Sequence, residues 1–212
     1  MSDSDKPELV RWSTDAVPAA QRFEYFSAAL SAALIPMQAA CDTPLLLRTN
    51  IESIALDGLT LVRQVGTPHR SFRRASDLRR DQAHTYHLIV NLASEWTIEH
   101  RARLRLRPGD AVLTDSRYGH EIDIRRNFDV IHAKLEEDWV HRWLPNPSVL
   151  VGRVIPRDAG WGRALASYAA ALSPQWVADA SIAPRFVPDQ LGALLALVAG
   201  QISGTASKFT NR

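Results

Sequence analysis

Three histidines have the residue type of a metal site but not its spacing. His84 and His87 lie at the start of an apolar run, and His120 follows further along the chain. Imidazole nitrogens are frequent ligands of transition metals, so a three-histidine site is one interpretation. Residues three positions apart on a strand point to opposite faces, so His84 and His87 cannot both reach one interior if the strand includes both. We therefore predict no metal and no other cofactor.

Other enzyme signatures are missing from the sequence. It contains no Gly-x-Ser-x-Gly elbow, no phosphate loop and no Gly-x-Gly-x-x-Gly turn. Cys41 has no histidine near it in sequence that would indicate an activated thiol. The acidic run Glu136-Glu137-Asp138 is typical of the first turn of a short helix, where the helix dipole favours negative charge. We predict that the chain is not an enzyme.

The strongest structural pattern runs from Ala102 to Ile124. Ala102, Leu104 and Leu106 alternate with arginines, Pro108-Gly109-Asp110 breaks the strand, and Ala111–Thr114 resumes it. After a second break, the run His120–Ile124 alternates again. Period-two alternation broken by turn residues is typical of half-buried antiparallel strands. The pattern predicts a small antiparallel barrel.

Further elements are predicted on both sides of this run. A polar arm, Met1–Thr14, precedes a helix that begins at Pro18 and ends before Pro36. Asp57-Gly58 joins two apolar alternating stretches and predicts a hairpin, with a type I′ turn because that turn needs positive φ at both central positions. Additional strands are predicted at the segments Tyr86–Leu92, Trp96–Arg101 and Phe128–Leu135.

The run Arg105–Asp115, with a histidine at position 120, resembles the second half of a cupin barrel. More narrowly, it resembles the effector-sensing domain of AraC-type transcription regulators. Further segments that resemble this family occur in its order and extend the resemblance over residues 12–202: Trp12-Ser13-Thr14, Arg22-Phe23, Ile54–Leu61, Val65, His69-Arg70-Ser71, Leu144-Pro145 and Val151–Ile155.

The resemblance implies a mainly β fold with helices. This is a cupin-like antiparallel barrel (jelly roll), preceded by one helix and followed by a two-helix dimerisation unit. We place the arm, helix and sensor barrel in residues 1–157 and the helical segment in residues 158–212. The implied function is to bind a small acidic or aromatic effector in the barrel and to report its presence to a DNA-binding domain. The alternatives are a metal-dependent cupin enzyme and a stand-alone dimerising modulator without a DNA-binding domain.

Strand parity selects the candidate ligand contacts. Trp96 shares a face with Ile98, and His120 shares a face with Ile122 and Ile124, so both are expected to point into the barrel. A neutral core histidine is an equal alternative for His120. The other candidates are Tyr86, Arg63 and Arg70.

These three candidates depend on different arguments. Tyr86 shares a face with Leu88 and Val90, on a strand that is apolar on both faces. Arg63 follows Leu59 and Leu61 and either meets an anion inside the barrel or extends to water. Arg70 matches the family's arginine before a small hydroxyl residue and could order the barrel rim or meet an acidic effector.

Charge gives no support for nucleic-acid binding by this segment. The net charge of the 212 residues is only +2, and Asp77 and Asp81 are interleaved with the arginines of segment 69–80. We interpret that segment as a solvated loop. The resemblance implies a further DNA-binding domain of about a hundred residues, and the sequence ends at Arg212. We expect no specific DNA binding by these residues alone.

Two helical stripes follow the barrel, the second opened by Pro188 and apolar nearly all round. Periodicity cannot tell burial against the barrel from burial against a second copy. The resemblance favours a homodimer through these residues: Trp161, Leu165, Tyr168, Leu172, Leu191, Leu194, Leu195 and Val198.

Composition agrees with one globular domain in a reducing compartment. Hydrophobic residues make up 46% and charged residues 23% of the chain, enough for one substantial core. The single cysteine excludes an intramolecular disulfide. The N-terminus lacks the apolar core of a signal peptide, and the run Leu191–Ala199 is too short to cross a bilayer. We expect a cytoplasmic protein with no membrane contact.

Overall fold

Two antiparallel sheets face each other and form the barrel. The computed structural model describes residues 7–81, 83–158, 160–180, 183 and 185–210, with side chains as far as residue 204. The larger sheet, sheet A, has the strand order β1-β3-β4-β11-β6-β9-β12, and the smaller, sheet B, has the order β2-β5-β10-β7-β8. The strands are β1 (Leu9–Ser13), β2 (Gln38–Ala40), β3 (Thr49–Leu56), β4 (Leu59–Gly66), β5 (His69–Arg73), β6 (Thr85–Asn91), β7 (Trp96–His100), β8 (Ala102–Leu106), β9 (Ala111–Asp115), β10 (His120–Ile124), β11 (Phe128–Glu136) and β12 (Val154–Ile155).

The helices lie before, between and after the strands. They are α1 (Arg22–Ala33), α2 (Ala75–Arg80), α3 (Glu137–Trp143), α4 (Gly160–Ala171), α5 (Pro174–Asp179) and α6 (Phe186–Thr210). The predicted helix before the barrel is confirmed as α1, and the acidic run begins α3 as predicted. The C-terminal segment has one helix more than predicted, because α5 is a short helix that begins at Pro174.

The strands predicted between Ala102 and Ile124 are confirmed as β8, β9 and β10. In β10, Ile122 and Ile124 are buried while Glu121 is exposed, which is the half-buried alternation read from the sequence. In β8, Arg103 and Arg105 are exposed as well, whereas β9 lies in sheet A and all five of its residues are buried. The half-buried alternation is therefore visible on the two strands of sheet B, β8 and β10.

The hairpin at Asp57-Gly58 is confirmed, with Leu56 paired to Leu59. Its turn is not the predicted type I′, because among the described non-glycine residues only Arg101 has a positive φ, whereas Gly58 has a φ of 75°. A Cβ added at Gly58 would lie 2.4 Å from Cδ1 of Trp139. Glycine is thus required here by both its φ and the indole of α3.

Two segments expected to be irregular are regular. The first six residues of the predicted polar arm lie outside the described residues, but residues 9–13 form edge strand β1, which pairs with β3. The arginine-rich segment predicted as a solvated loop forms β5 and α2, and β5 lies inside sheet B between β2 and β10. Arg73 is only 2% exposed, so the prediction of a solvated loop is wrong.

The helices α3, α4, α5 and α6 contribute to a core that covers the outer face of sheet A. One continuous cluster joins Leu61 of β4, Leu88 of β6 and Trp139 of α3 to α4 and α6. Five of the eight residues predicted to contact a second subunit are buried inside this cluster: Leu165, Leu172, Leu191, Leu195 and Val198. The prediction of a dimer interface is wrong for these five, because the core of the same chain already buries them.

Helix α6 is longer and more apolar than the run Leu191–Ala199 indicated. The stretch Phe186–Gly204 has a mean hydropathy of 1.3, so by length and composition it could cross a membrane, and 33% of that window is buried in the fold. The prediction that no such segment exists used too short a run. In the structure Leu191, Leu195 and Val198 of this helix are buried in the cluster that also contains residues of sheet A and α4.

Candidate functional site

The space between the two sheets has an apolar middle. Trp96 is 3% exposed and packs among the inward-facing side chains of both sheets, as predicted from its parity. Its indole Nε1 has no hydrogen-bond partner among the described residues. A buried donor without a partner costs free energy, so such a group is available to a ligand that can accept from it. The apolar residues of this layer are Ile89, Trp96, Ile98, Leu106, Val112, Ile122, Ile124, Phe128 and Val130.

A small cavity lies at the centre of this layer, below helix α1. Its volume is about 20 Å³, room for about one water molecule. Leu30 of α1 and Leu34, which directly follows that helix, close it on one side, while Gln64, Ser71 and His132 provide its polar wall. Any larger molecule bound there must displace α1 or the side chains around it.

Three histidines enter the interior from three different strands. Burial lowers the pKa of His132 to about 3 and that of His120 to about 4. Burial also lowers the pKa of His87 well below its usual value, and the charge of neighbouring His132 adds to this effect. The rings of His87 and His132 lie 6.3 Å apart. These imidazoles are therefore neutral near pH 7, and each can both donate and accept a hydrogen bond.

Arg73 lies at the same end of the interior. It pairs with His120 across the sheet, and its side chain is 1% exposed. Its Nη1 donates to the carbonyl of Pro36 at 2.6 Å, its Nη2 donates to Asp81 at 3.1 Å, and its Nε has no partner among the described residues. A fixed positive charge thus lies close enough to His87 and His120 to lower their pKa values further.

The three-histidine site that was one interpretation of the sequence is not assembled. His84 lies on the outer side of sheet A, 3.2 Å from a carboxylate oxygen of Asp115 and 2.6 Å from one of Glu137, whereas His87 points inward. Strand β6 begins at Thr85 and does not include His84, so the condition under which the two histidines were expected on opposite faces is not met. Within the described part of the chain, no group of three or more His, Cys, Asp or Glu residues could hold a metal ion.

Two of the five candidate ligand contacts reach the interior. Two others, Tyr86 and Arg63, lie on the outer face of sheet A. Trp96 and His120 point inward. Tyr86 packs in the core between sheet A and the helices, and Arg63 shares that outer face, where its Nε and Nη2 donate to Asp129 at 3.1 and 2.7 Å. The inward placement of Tyr86 was wrong, and of the two alternatives for Arg63 the one inside the barrel is not observed. Sheet A is covered on both faces, so an apolar neighbour does not indicate the interior.

Arg70 is exposed on the outer face of sheet B. It lines a groove of about 650 Å³ together with Glu99, Arg103, Glu121 and Asp123. The lining carries three arginines and four carboxylates, because Arg125 and Asp42 also belong to it, so the groove offers no excess of positive charge to an anionic partner. Arg70 is therefore separated from the interior by the sheet itself.

Sequence reasoning missed His87, His132 and Arg73 as interior residues. In β5 the signal was present, since His69, Ser71 and Arg73 alternate with Arg70 and Phe72. Their polar character concealed the alternation from a hydrophobic pattern. In β6 and β11, apolar residues occur on both faces, so the sequence does not show on which side His87 or His132 lies. Their inner position can be assigned only when the helices are known to cover the other face.

Comparisons with known proteins agree with this architecture. The AraC-binding-like domain family matches residues 26–198. The crystal structure of the AraC-like transcriptional activator CuxR superposes with a TM-score of 0.77 at 12% identity, covering 91% of this chain and 70% of that chain. No match was found among curated protein sequences.

Weaker structural similarities involve parts of other barrels. A putative ethanolamine utilization protein Q from Salmonella typhimurium superposes with a TM-score of 0.34 at 6% identity, covering 42% of this chain and 69% of that chain. An ectoine synthase from P. lautus gives 0.32 at 15% identity, covering 44% and 70%. These overlaps are too partial to bear on function. The predicted cupin-like jelly roll is confirmed, and with more than half of its length matched, the chain belongs to the AraC-binding-like domain family.

Proposed function

We propose that this chain is the sensing module of a transcription regulator and that it binds a small molecule between its two sheets. The observation that carries the proposal is the set of unpartnered buried groups in the interior: Trp96 Nε1, His132 Nδ1 and Arg73 Nε. Burying such groups without partners destabilises a fold, by about 1–3 kcal/mol each. A ligand that pairs with them recovers this free energy and stabilises the arrangement to which it binds.

Closure by α1 supports a sensing role. A cavity of about 20 Å³ cannot hold a metabolite, since known ligand pockets measure about 300–1,000 Å³. Binding must therefore favour a second arrangement in which α1, or the side chains below it, has moved. A ligand that binds one of two arrangements more tightly shifts their populations, which is the physical requirement for a sensor.

The proposed homodimer uses a different face of α6 from the one read in the sequence. Trp161 and Leu197 are 46% and 41% exposed. A Cβ at Gly200 or Gly204 would meet nothing within 4 Å. Tyr168 and Leu194 are partly buried at the edge of the core. We propose that segment 158–212 packs on sheet A with one face and on a second copy with the other.

This arrangement gives the two predicted segments distinct roles. Residues 1–157 would bind the effector, and residues 158–212 would pass its occupancy to the partner copy and to a DNA-binding domain outside this sequence. We place the protein in the cytoplasm, where a transcription regulator acts. The variant Leu197→Glu tests the dimer: its mass by light scattering should halve while its circular dichroism is unchanged.

A ligand screen by thermal shift tests the sensing role. A compound bound in the interior should raise the melting temperature of the wild type. It should lose most of that effect in Ser71→Val, which fills the central cavity, and should keep it in Arg70→Ala, which changes the outer face of the same strand. Hits that depend on Arg70 but not on Ser71 would place the ligand in the outer groove and refute the proposal.

A further inference from the structure

The guanidinium of Arg73 has one open donor on the edge that best fits a carboxylate. Its Nη2 donates to Asp81 at 3.1 Å, while its adjacent Nε has no partner. Elsewhere in the chain, Arg63 uses the same two nitrogens together, with both oxygens of Asp129 at 3.1 and 2.7 Å. Arginine forms its strongest pairs in this two-point geometry. Asp81 therefore occupies only half of the available edge.

Asp81 has the features of an exchangeable partner. Its side chain is 15% exposed, whereas that of Arg73 is 1% exposed, so the carboxylate lies at the mouth and the guanidinium lies inside. It directly follows α2, and among the described residues its side chain otherwise accepts one hydrogen bond, from the backbone N–H of Ala83. The other anchor of Arg73, the carbonyl of Pro36, belongs to the chain just after α1. Replacing Asp81 would thus leave the position of Arg73 fixed.

The charge balance at this end of the interior favours an anion. Lys134 of β11 is close enough for its charge to lower the pKa of His87, as is Arg73. Among the described residues, Lys134 has no ion-pair partner, and Asp81 is the one carboxylate paired with Arg73. The neutral imidazoles of His87 and His120 add hydrogen-bond donors without charge. An anion entering here meets two cations and displaces one carboxylate.

We infer that the effector is a small organic acid whose carboxylate binds Nε and Nη2 of Arg73 in place of Asp81. This inference rests on the proposed sensing function and names the ligand class. Ser71 lies two residues from Arg73 on the inner face of β5 and lines the central cavity. A carboxylate at Arg73 therefore directs the rest of the molecule toward the apolar layer and Trp96. The acid should carry a compact apolar or aromatic body.

Matched pairs of acids and amides test the ligand class. Acetate, butyrate and benzoate are titrated into the full chain by calorimetry near neutral pH, each against its uncharged amide and against inorganic phosphate. At least one acid should bind at millimolar concentration or below, with its amide about tenfold weaker, since a charge-assisted pair is lost. Binding of the amide equal to that of the acid, tighter binding of phosphate, or no binding of any acid overturns the inference.

Substitutions at the ion pair test the position. Asp81→Asn removes the competing carboxylate and should tighten acid binding about tenfold. Arg73→Lys should weaken it by at least as much, because a lysine lacks the two-point edge. If Arg73→Lys does not fold, Asp81→Asn alone decides. The control Asp129→Asn breaks the matching pair on the outer face and should leave affinity unchanged. An unchanged or weaker affinity in Asp81→Asn, or an equal effect of Asp129→Asn, overturns the inference.

Failure of the inference can be distinguished from failure of the proposed function. If only a neutral compound binds, and Ser71→Val abolishes its binding, the sensing role stands and the inference that the effector is an acid is wrong. If neither acids nor neutral compounds respond to Ser71→Val, the interior is not the binding site and both fall.

Discussion

Acidification should unfold this protein through histidines that are buried in the neutral form. Burial lowers the pKa of His132 to about 3 and that of His69 to about 4 from an ordinary value of 6.5. Both residues are at most 6% exposed. Below the ordinary pKa the unfolded chain takes up protons that the folded chain cannot, so stability is complete above about pH 7 and falls as the pH falls toward the folded pKa values.

The size of the loss follows from the same values. At about pH 5 an unfolded histidine is almost fully protonated, whereas the folded one is almost fully neutral, and the difference costs about 2 kcal/mol per residue. His69 and His132 together therefore cost about 4 kcal/mol, against a typical total stability of about 5–15 kcal/mol. His87, His100 and His120, whose pKa values burial also lowers, act with the same sign.

Urea denaturation followed by tryptophan fluorescence measures this loss. The free energy of unfolding should fall by at least about 4 kcal/mol between about pH 7.5 and about pH 5. His132→Gln should recover about 2 kcal/mol of that difference. His141→Gln is the control, because the side chain of His141 is 46% exposed. An unchanged pH dependence in His132→Gln, or an equal recovery in His141→Gln, would refute the assignment of neutral buried imidazoles.

Three further outcomes are expected. Leu195→Glu should unfold the subunit rather than dissociate a dimer, because Leu195 is 0% exposed and an unpaired buried charge is costly; circular dichroism distinguishes this from a folded monomer. Gly58→Ala should lower the melting temperature, since its φ is 75° and its Cβ would meet Trp139; a melting temperature equal to that of the wild type would contradict the contact. Residues 1–212 should show no sequence-selective DNA binding at physiological salt by fluorescence anisotropy, and sub-micromolar selective binding would contradict this expectation.

The sequence predicted sheet B better than sheet A for a physical reason. Strands β8 and β10 have one face in water, so their hydrophobic alternation reports the inner face directly, and Trp96 and His120 were placed correctly. Sheet A is covered by sheet B on one side and by helices on the other. Apolar residues then occur on both faces, and parity gave Tyr86 and Arg63 the wrong side.

The sequence pattern also could not predict what the apolar helix α6 packs against. The stripe that includes Leu191 and Leu195 identified α6 correctly, but the same stripe serves an internal core or a second subunit equally well. Only the packing showed that the core of the same chain buries it. The interior site was missed because its members are polar: Arg73 in an arginine-rich segment has the composition of a solvated loop, although its strand alternates.

Strand β6 has no surface of its own, since all seven residues from Thr85 to Asn91 are buried. His87 and Ile89 must fit the residues of the interior. Tyr86, Leu88 and Val90 must fit the core that includes the helices. Divergence toward a new ligand is therefore limited on this strand, because a backbone shift that suits one core disturbs the other. Relatives that recognise different molecules should change their specificity mainly on sheet B and α1, where one side is free to adapt.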